Sequence, residues 1–234
     1  MQDSLITKGS FHFQVSSHDT DYNGCARPSC ILRYMQEAAL SEFNRAGFPI
    51  ERQREEGSVF ILSRVAFRIF RPLRAWEELI AESWACPSSH ASFLRCAQIR
   101  SGEEQVAAMT SVWALIHLPD RRLMRVNELS LPFGEEDALQ LDLPARLRLP
   151  VGCEEDAGTK TICYGDVDVN RHMNNTNYPD MICGALPSMD GRYVTGMMID
   201  YLQEAALGET IHVYRIPSED GYYVKTIGEN GRVG

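Results

Sequence analysis

Between residues 10 and 118 the apolar positions alternate in short runs, break once into a helical period, and then alternate again. Phe11, Phe13 and Val15 step by two, which predicts a strand over about 11–17. From Pro28 to Gly47 the step changes to three and four, with Leu32, Met35, Ala39 and Phe43 on one stripe and Ile31 and Ala38 broadening it. That is a long helix, opened by a proline and closed by a glycine suited to a left-handed stop. Four strand-like runs follow, VFILSRVAFRIF at 59–70, ELIAESWAC at 78–86, SFLRCAQIR at 92–100 and EQVAAMTSVWALIHL at 104–118, the last two joined by the turn SGE. Strand, long helix and antiparallel meander describe one helix laid against a curled sheet, an α+β arrangement.

The pattern then repeats. HDTDYNGCARPSCILRYMQEA begins at residue 18 and GDVDVNRHMNNTNYPDMICGA at residue 165. Asp19, Asp21 and Asn23 meet Asp166, Asp168 and Asn170 at a constant offset of 147 (166 − 19), too long for a solenoid and right for two domain-sized copies. The second copy predicts a strand at 160–167, a helix near 177–186 stopped by Pro187, and strands at 193–203, 209–216 and 221–227. We therefore expect a first domain over 1–125, a linker over 126–158 and a second domain over 159–234. The linker stretch holds eight acidic and two basic residues with Pro132, Pro144 and Pro150. Only three residues follow the turn GENG, so either the sequence stops early or the second sheet lacks its last strand, which would expose an edge.

Composition narrows the function. The 234 residues are 44% hydrophobic and 24% charged, with a net charge of −9, which argues against general nucleic-acid binding. No apolar run reaches the ~18 residues of a membrane span. The opening residues read as neither a secretory nor a transit signal, so a cytoplasmic protein is expected. Seven cysteines without CxxC spacing read as reduced, mostly buried thiols. His12, His18, His90, His117 and His212 show no metal-like pairing, so neither metal nor other cofactor is expected. Trp76, Trp84 and Trp113 are expected in the core.

The segment DVDVNRHMNNTNY at 166–178 carries the candidate chemistry. In extended chain, alternate side chains share a face, so Asp168, Asn170 and His172 can converge on one cleft. The helix that follows offers free amides to a substrate carbonyl. Glu204, after the next strand, can reach His172 across the sheet. Such a set suits hydrolysis of an acyl group, with His172 and Glu204 positioning or deprotonating water and Asn170 holding the carbonyl or the water. Asp168 is open as orienter, base or transient nucleophile. His172 has Cys25 as its counterpart in the first copy, and sliding WEELI at 76–80 onto GETIH at 208–212 aligns Pro72 with Glu204. The first copy thus lacks both ionisable partners, and we expect it to shape an acyl pocket. Asn174, Asn175 and Asn177 read as caps and turn formers, with Asn174 and Asn175 also candidates for substrate contact.

DVDVNRHMNNTNY resembles the signature of the acyl-acyl carrier protein thioesterases of bacterial type, and LSRVAFRIFRPLRAWEEL, TSVWALIHLPDRRLMR and IDYLQEAALGETI extend the resemblance over nearly the whole chain. It implies a tandem (double) hotdog fold, each copy a long helix wrapped by an antiparallel sheet. It also implies release of fatty acids from acyl carrier protein, with the family's catalytic Asp, Asn and His on Asp168, Asn170 and His172 and its second acid on Glu204. Plant members carry cysteine directly after that Glu; here Ala205 stands there, so no thiol nucleophile is available at that position. Carrier proteins are acidic, which makes Arg64, Arg68, Arg71 and Arg74 a candidate docking patch, with pairing to Glu77 and Glu78 as the alternative. Hotdog sheets often pair, so a homodimer is an expectation. Rival readings are an acyl-coenzyme A thioesterase of the same fold and a non-catalytic acyl-binding module.

Overall fold

The computed structural model describes residues 8–128, 135–141 and 147–234. Its elements run in the expected order. β1 (Gly9–Gln14), α1 (Pro28–Arg45), α2 (Ile50–Glu55), β2 (Ser58–Ile69), β3 (Glu78–Ala85), β4 (Ser92–Ser101), β5 (Glu104–His117) and β6 (Arg122–Met124) make the first copy. β7 (Glu155–Thr161), α3 (Tyr178–Gly184), β8 (Gly196–Asp200), β9 (Thr210–Ser218) and β10 (Gly221–Ile227) make the second. The class is α+β and the arrangement the tandem hotdog the sequence implied.

Two compact units divide the chain: Met1–Leu143 with Val194–Ile199, and Pro144–Tyr193 with Asp200–Gly234. The stretch expected as a linker contains Pro132 and Pro144, which lie outside the described residues. Part of it, residues 135–141, packs on the first unit: Ala85 bridges Glu135 and the Trp84 indole donates to the Asp137 carbonyl at 3.0 Å.

In the first unit the sheet runs β1-β3-β4-β5-β2-β8, with β6 on β5. Gly102, at φ 58, lets β4 turn into β5 through a two-residue loop. α1 lies on β1, β3 and β4. Its buried face is Ile31, Leu32, Met35, Ala38 and Glu42; Ala39 and Phe43 of the expected stripe are only half-buried. Each large aliphatic side chain on that face contributes about 1.5–3 kcal/mol by leaving water. Gly9 allows the helix to close on β1, because a Cβ there would collide with the Ala38 carbonyl and Glu42. Glu42 is fully buried and ion-paired with Arg95 of β4, whose guanidinium lies over the Phe43 ring. Trp84 is buried as expected and Trp113 half-buried, but Trp76 is a correction: it is 67% exposed, on a loop where its backbone is left-handed. All seven cysteines are free, and four are buried.

The second unit's own sheet is β10-β9-β7. Its helix is short rather than long, two turns ending at Gly184, before Leu186 and Pro187. The expected strand at 193–203 narrows to 196–200, and β8 pairs with β2 in the first unit's sheet. β10 is an edge strand, touched beyond its end by an Ile227–Val233 bridge and by the Gly234 amide on the Thr226 carbonyl.

Candidate active site

The segment expected to be extended is not. After β7, residues 164–166 form a 3-10 turn, tied when Asp166 accepts the Cys163 amide at 2.9 Å and the Lys160 ammonium at 2.8 Å. Val167 then bridges Met173, and the Asp168 amide reaches the His172 carbonyl at 3.1 Å. Between them the chain reverses: the Arg171 amide donates to the Asp168 carbonyl at 2.9 Å, and Arg171 sits at φ 64. The Asp168 carboxylate accepts the Asn170 amide at 2.8 Å, an Asx turn that outcompetes the extended conformation. Asp168 and Asn170 are thus brought together, with 3.5 Å between Asn170 Nδ2 and Asp168 Oδ2. They do not share a face with His172 through strand alternation.

His172 and Glu204 do meet. Nδ1 of His172 lies 3.0 Å from Oε2 of Glu204, with side chains 37% and 61% exposed, so the pair remains open to water and substrate. The backbone sets this up. His172 bridges Ala206, the Met173 amide donates to the Ala205 carbonyl at 2.8 Å, and the Leu207 amide to the Arg171 carbonyl at 3.0 Å. Glu209 closes the Glu204 loop by accepting the Ala206 amide at 3.0 Å. With Nδ1–H donating to Glu204, Nε2 of His172 is the basic nitrogen.

The asparagine run serves mainly the backbone. Asn174 caps the 3-10 turn at 175–177, its Oδ1 accepting the Thr176 amide at 2.9 Å and hydroxyl at 2.7 Å, as the cap reading expected. The Asn177 amide group donates to the Asp166 carbonyl at 2.9 Å, and its backbone amide to the Asn174 carbonyl at 2.9 Å. The amides of Thr176 and Asn177, in the 3-10 turn that leads into α3, are therefore engaged. Asn175 is half-buried, and its carbonyl accepts the Tyr201 hydroxyl at 2.9 Å.

Tyr178 and Tyr201, which sequence reasoning did not single out, pack edge to face at 5.4 Å behind this loop. Burial, with the Glu209 charge, pushes the Tyr178 phenol up to about 12; burial lifts Tyr201 well above the phenol range.

The first copy builds the same frame without the chemistry. The Asn23 amide donates to Asp21 Oδ1 at 2.8 Å, the Asp21 amide to the Cys25 carbonyl at 2.8 Å, and the Ala26 amide to the Leu73 carbonyl at 2.8 Å. Cys25 bridges Arg74 as His172 bridges Ala206. The offsets are 147 (172 − 25) and 132 (206 − 74), which set Pro72 at the place of Glu204 (204 − 132), as the sequence alignment expected.

The candidate docking arginines are largely committed. Arg71 donates to Glu77 at 2.5 and 3.2 Å and to Glu104 at 3.0 Å. Arg74 donates to the carbonyls of Asn23 and Gly24 at 2.9 and 3.1 Å. Arg64 and Arg68 also have partners within the fold. The pairing of Arg71 with Glu77 follows the alternative expectation. Among the described residues, no three His, Cys, Asp or Glu side chains converge as a metal site would, and no helix is long and apolar enough to cross a membrane.

Comparison with known proteins agrees over both copies. The model of the acyl-ACP thioesterase N-terminal domain matches residues 8–130, and that of the C-terminal domain matches 156–227. A chloroplastic palmitoyl-acyl carrier protein thioesterase of Gossypium hirsutum is 22% identical over 227 residues, covering 87% of this chain and 53% of that protein. An oleoyl-acyl carrier protein thioesterase of Coriandrum sativum is 22% identical over 245 residues, covering 94% and 66%. The chain thus spans about half to two thirds of the length of these relatives. Among solved structures, an acyl-ACP thioesterase from Bacteroides thetaiotaomicron superposes with a TM-score of 0.86 at 19% identity, over 97% of this chain and 94% of that one. A 12:0-ACP thioesterase from Umbellularia californica gives 0.79 at 17%, with coverage of 97% and 94%. At these identities the superpositions speak for the fold.

Proposed function

We propose, because this chain belongs to the acyl-acyl carrier protein thioesterase family, that it hydrolyses fatty acyl thioesters on acyl carrier protein and so ends chain elongation by releasing free fatty acid. The observation that carries this reading is the 3.0 Å contact between His172 Nδ1 and Glu204 Oε2. A carboxylate on Nδ1 holds the ring and favours the charge that forms as Nε2 takes a proton from water. The hydroxide attacks the thioester carbonyl, the tetrahedral intermediate collapses, and the imidazolium returns the proton to the leaving pantetheine thiolate. The Asn170 carboxamide is the donor for the oxyanion. Asp168 already accepts a bond from Asn170, which supports an orienting role over a nucleophilic one.

In this reading the second copy holds the chemistry and the first, with its long helix and no His–Glu pair, takes the acyl chain. The donor is acyl carrier protein rather than coenzyme A, in keeping with the family. The test offers purified protein both donors at equal chain length and follows thiol release. Turnover of the carrier-bound ester, abolished in His172→Ala, is expected. A tenfold or greater preference for the coenzyme A ester would overturn the donor assignment, and binding without turnover would make the protein an acyl-binding module.

A further inference from the structure

The duplication acts as an internal control on which residues accompany the His–Glu pair. Recurring hydrogen bonds fix the register. The Cys30 amide on the Arg27 carbonyl at 3.0 Å answers to the Asn177 amide on the Asn174 carbonyl at 2.9 Å. The Ala26–Leu73 bond answers to Met173–Ala205, both at 2.8 Å. Carried on from these anchors, Tyr178 stands opposite Ile31 (178 − 147) and Tyr201 opposite Ile69 (201 − 132). Ile31 and Ile69 are 1% and 5% exposed, ordinary core residues. Where the first copy has Cys25, Pro72 and two isoleucines, the second has His172, Glu204 and two tyrosines.

Packing alone does not call for the phenols, since a buried hydroxyl costs free energy unless it is hydrogen-bonded and an aliphatic pair fills the matching place in the first copy. Both phenol oxygens are engaged around the Glu204 loop. Tyr201 donates to the Asn175 carbonyl at 2.9 Å, and the Tyr178 oxygen faces the Ala205 amide, next in chain to Glu204. The rings meet at 90° and 5.4 Å. Glu204 needs such support. Its side chain is 61% exposed and its loop has no regular structure, so holding it costs side-chain entropy.

We infer that Tyr178 and Tyr201 are positioning residues that fix the 201–209 loop against the 175–178 turn and so keep the Glu204 carboxylate on His172. Neither is assigned contact with reacting atoms; both act through Glu204. The inference rests on the reading of His172 and Glu204 as the hydrolytic pair.

A double-mutant cycle tests it. Tyr201→Phe is made in the wild-type chain and in Glu204→Gln, and kcat and KM for thiol release from acyl carrier protein are measured with thermal melting. In the wild-type background kcat falls about tenfold with KM within about twofold, because the loss is one of geometry rather than of binding. In Glu204→Gln the same change costs less than about twofold. Tyr178→Phe, which keeps the edge-to-face ring, shows the same dependence on background and guards against a folding defect in the first variant. An equal loss in both backgrounds, or an unchanged wild-type kcat, overturns the inference. Glu204→Gln turning over as fast as wild type overturns the site reading itself, and this inference with it; a slow Glu204→Gln with additive tyrosine effects overturns this inference alone.

Discussion

The turn at 21–24 and the loop at 72–77 of the first unit are held by the same backbone bonds as the turn at 168–171 and the loop at 204–209 of the second. Asp21 and Asp168 each accept an amide two residues on, at 2.8 Å, and Glu77 and Glu209 each accept an amide three residues back, at 3.2 and 3.0 Å. Within this shared frame one copy sets a thiol near a proline and the other an imidazole against a carboxylate. Motif residues that recur in both copies, Asp166, Asp168 and Asn170 among them, therefore build the frame first. The residues that differ, His172 and Glu204, are those to which we assign the proton transfer.

The largest expected effect is on turnover. Glu204→Gln lowers kcat by about 10²- to 10⁴-fold, the range of a lost acid–base partner, while Pro72→Ala at the equivalent place leaves it within about twofold. Thiol release from acyl carrier protein measures both.

Two ion pairs, one in each unit, differ in burial. Glu42 and Arg95 are buried, so Glu42→Gln strands a charge and destabilises by about 3–5 kcal/mol. Glu204→Gln, at an exposed pair, costs about 1 kcal/mol or less. Urea unfolding of the two variants separates structure from function.

Asp19 and Asp166 are equivalent and both carboxyls lie below the ordinary aspartate value of 3.8. Burial raises each, but the Tyr34 and Cys30 side chains outweigh it at Asp19, and Lys160 with the Cys163 amide at Asp166. A depressed carboxylate contributes stability that is complete above its unfolded pKa and lost as pH falls through the folded one. Lys160→Met should reduce the second copy's share, by about 1 kcal/mol or less above pH 4, and leave the first copy's untouched. Chemical unfolding at pH 3 and pH 6 reads the difference.

The smallest effect lies in the backbone. Gly24 (φ 69) is equivalent to Arg171 (φ 64), and Gly208 (φ 89) to Trp76 (φ 70), so each left-handed position holds glycine in one copy only. Arg171→Gly should stabilise by up to about 1 kcal/mol, relief of strain partly offset by unfolded-chain entropy. A melting temperature that falls instead would mean that the arginine side chain contributes more than its backbone costs.

Much of this was legible in the chain. Alternation located β2 to β5 within a residue or two, because each strand buries one face and the period survives in sequence. The helical stripe was right for Leu32 and Met35 but missed Glu42, since a buried acid is recognisable only with Arg95 beside it, 53 residues away (95 − 42). The extended reading of 166–172 failed because the Asp168 side chain satisfies the Asn170 amide locally, a competition that alternation does not register. Pairing of β8 with β2 is non-local and left no trace in either segment. His172 and Glu204 were legible through the family resemblance of their segments, and alignment with Cys25 and Pro72 set them apart from the shared frame. The same alignment, extended to Ile31 and Ile69, would have found the tyrosines.

The measurement closest to the central claim gives the second copy the first copy's residue. His172→Cys and, separately, Cys25→Ala are assayed for thiol release from acyl carrier protein. One working site predicts a kcat at least about 100-fold lower in His172→Cys and within about twofold of wild type in Cys25→Ala. A His172→Cys enzyme with more than half the wild-type kcat, or a Cys25→Ala enzyme that loses most of it, would contradict the account.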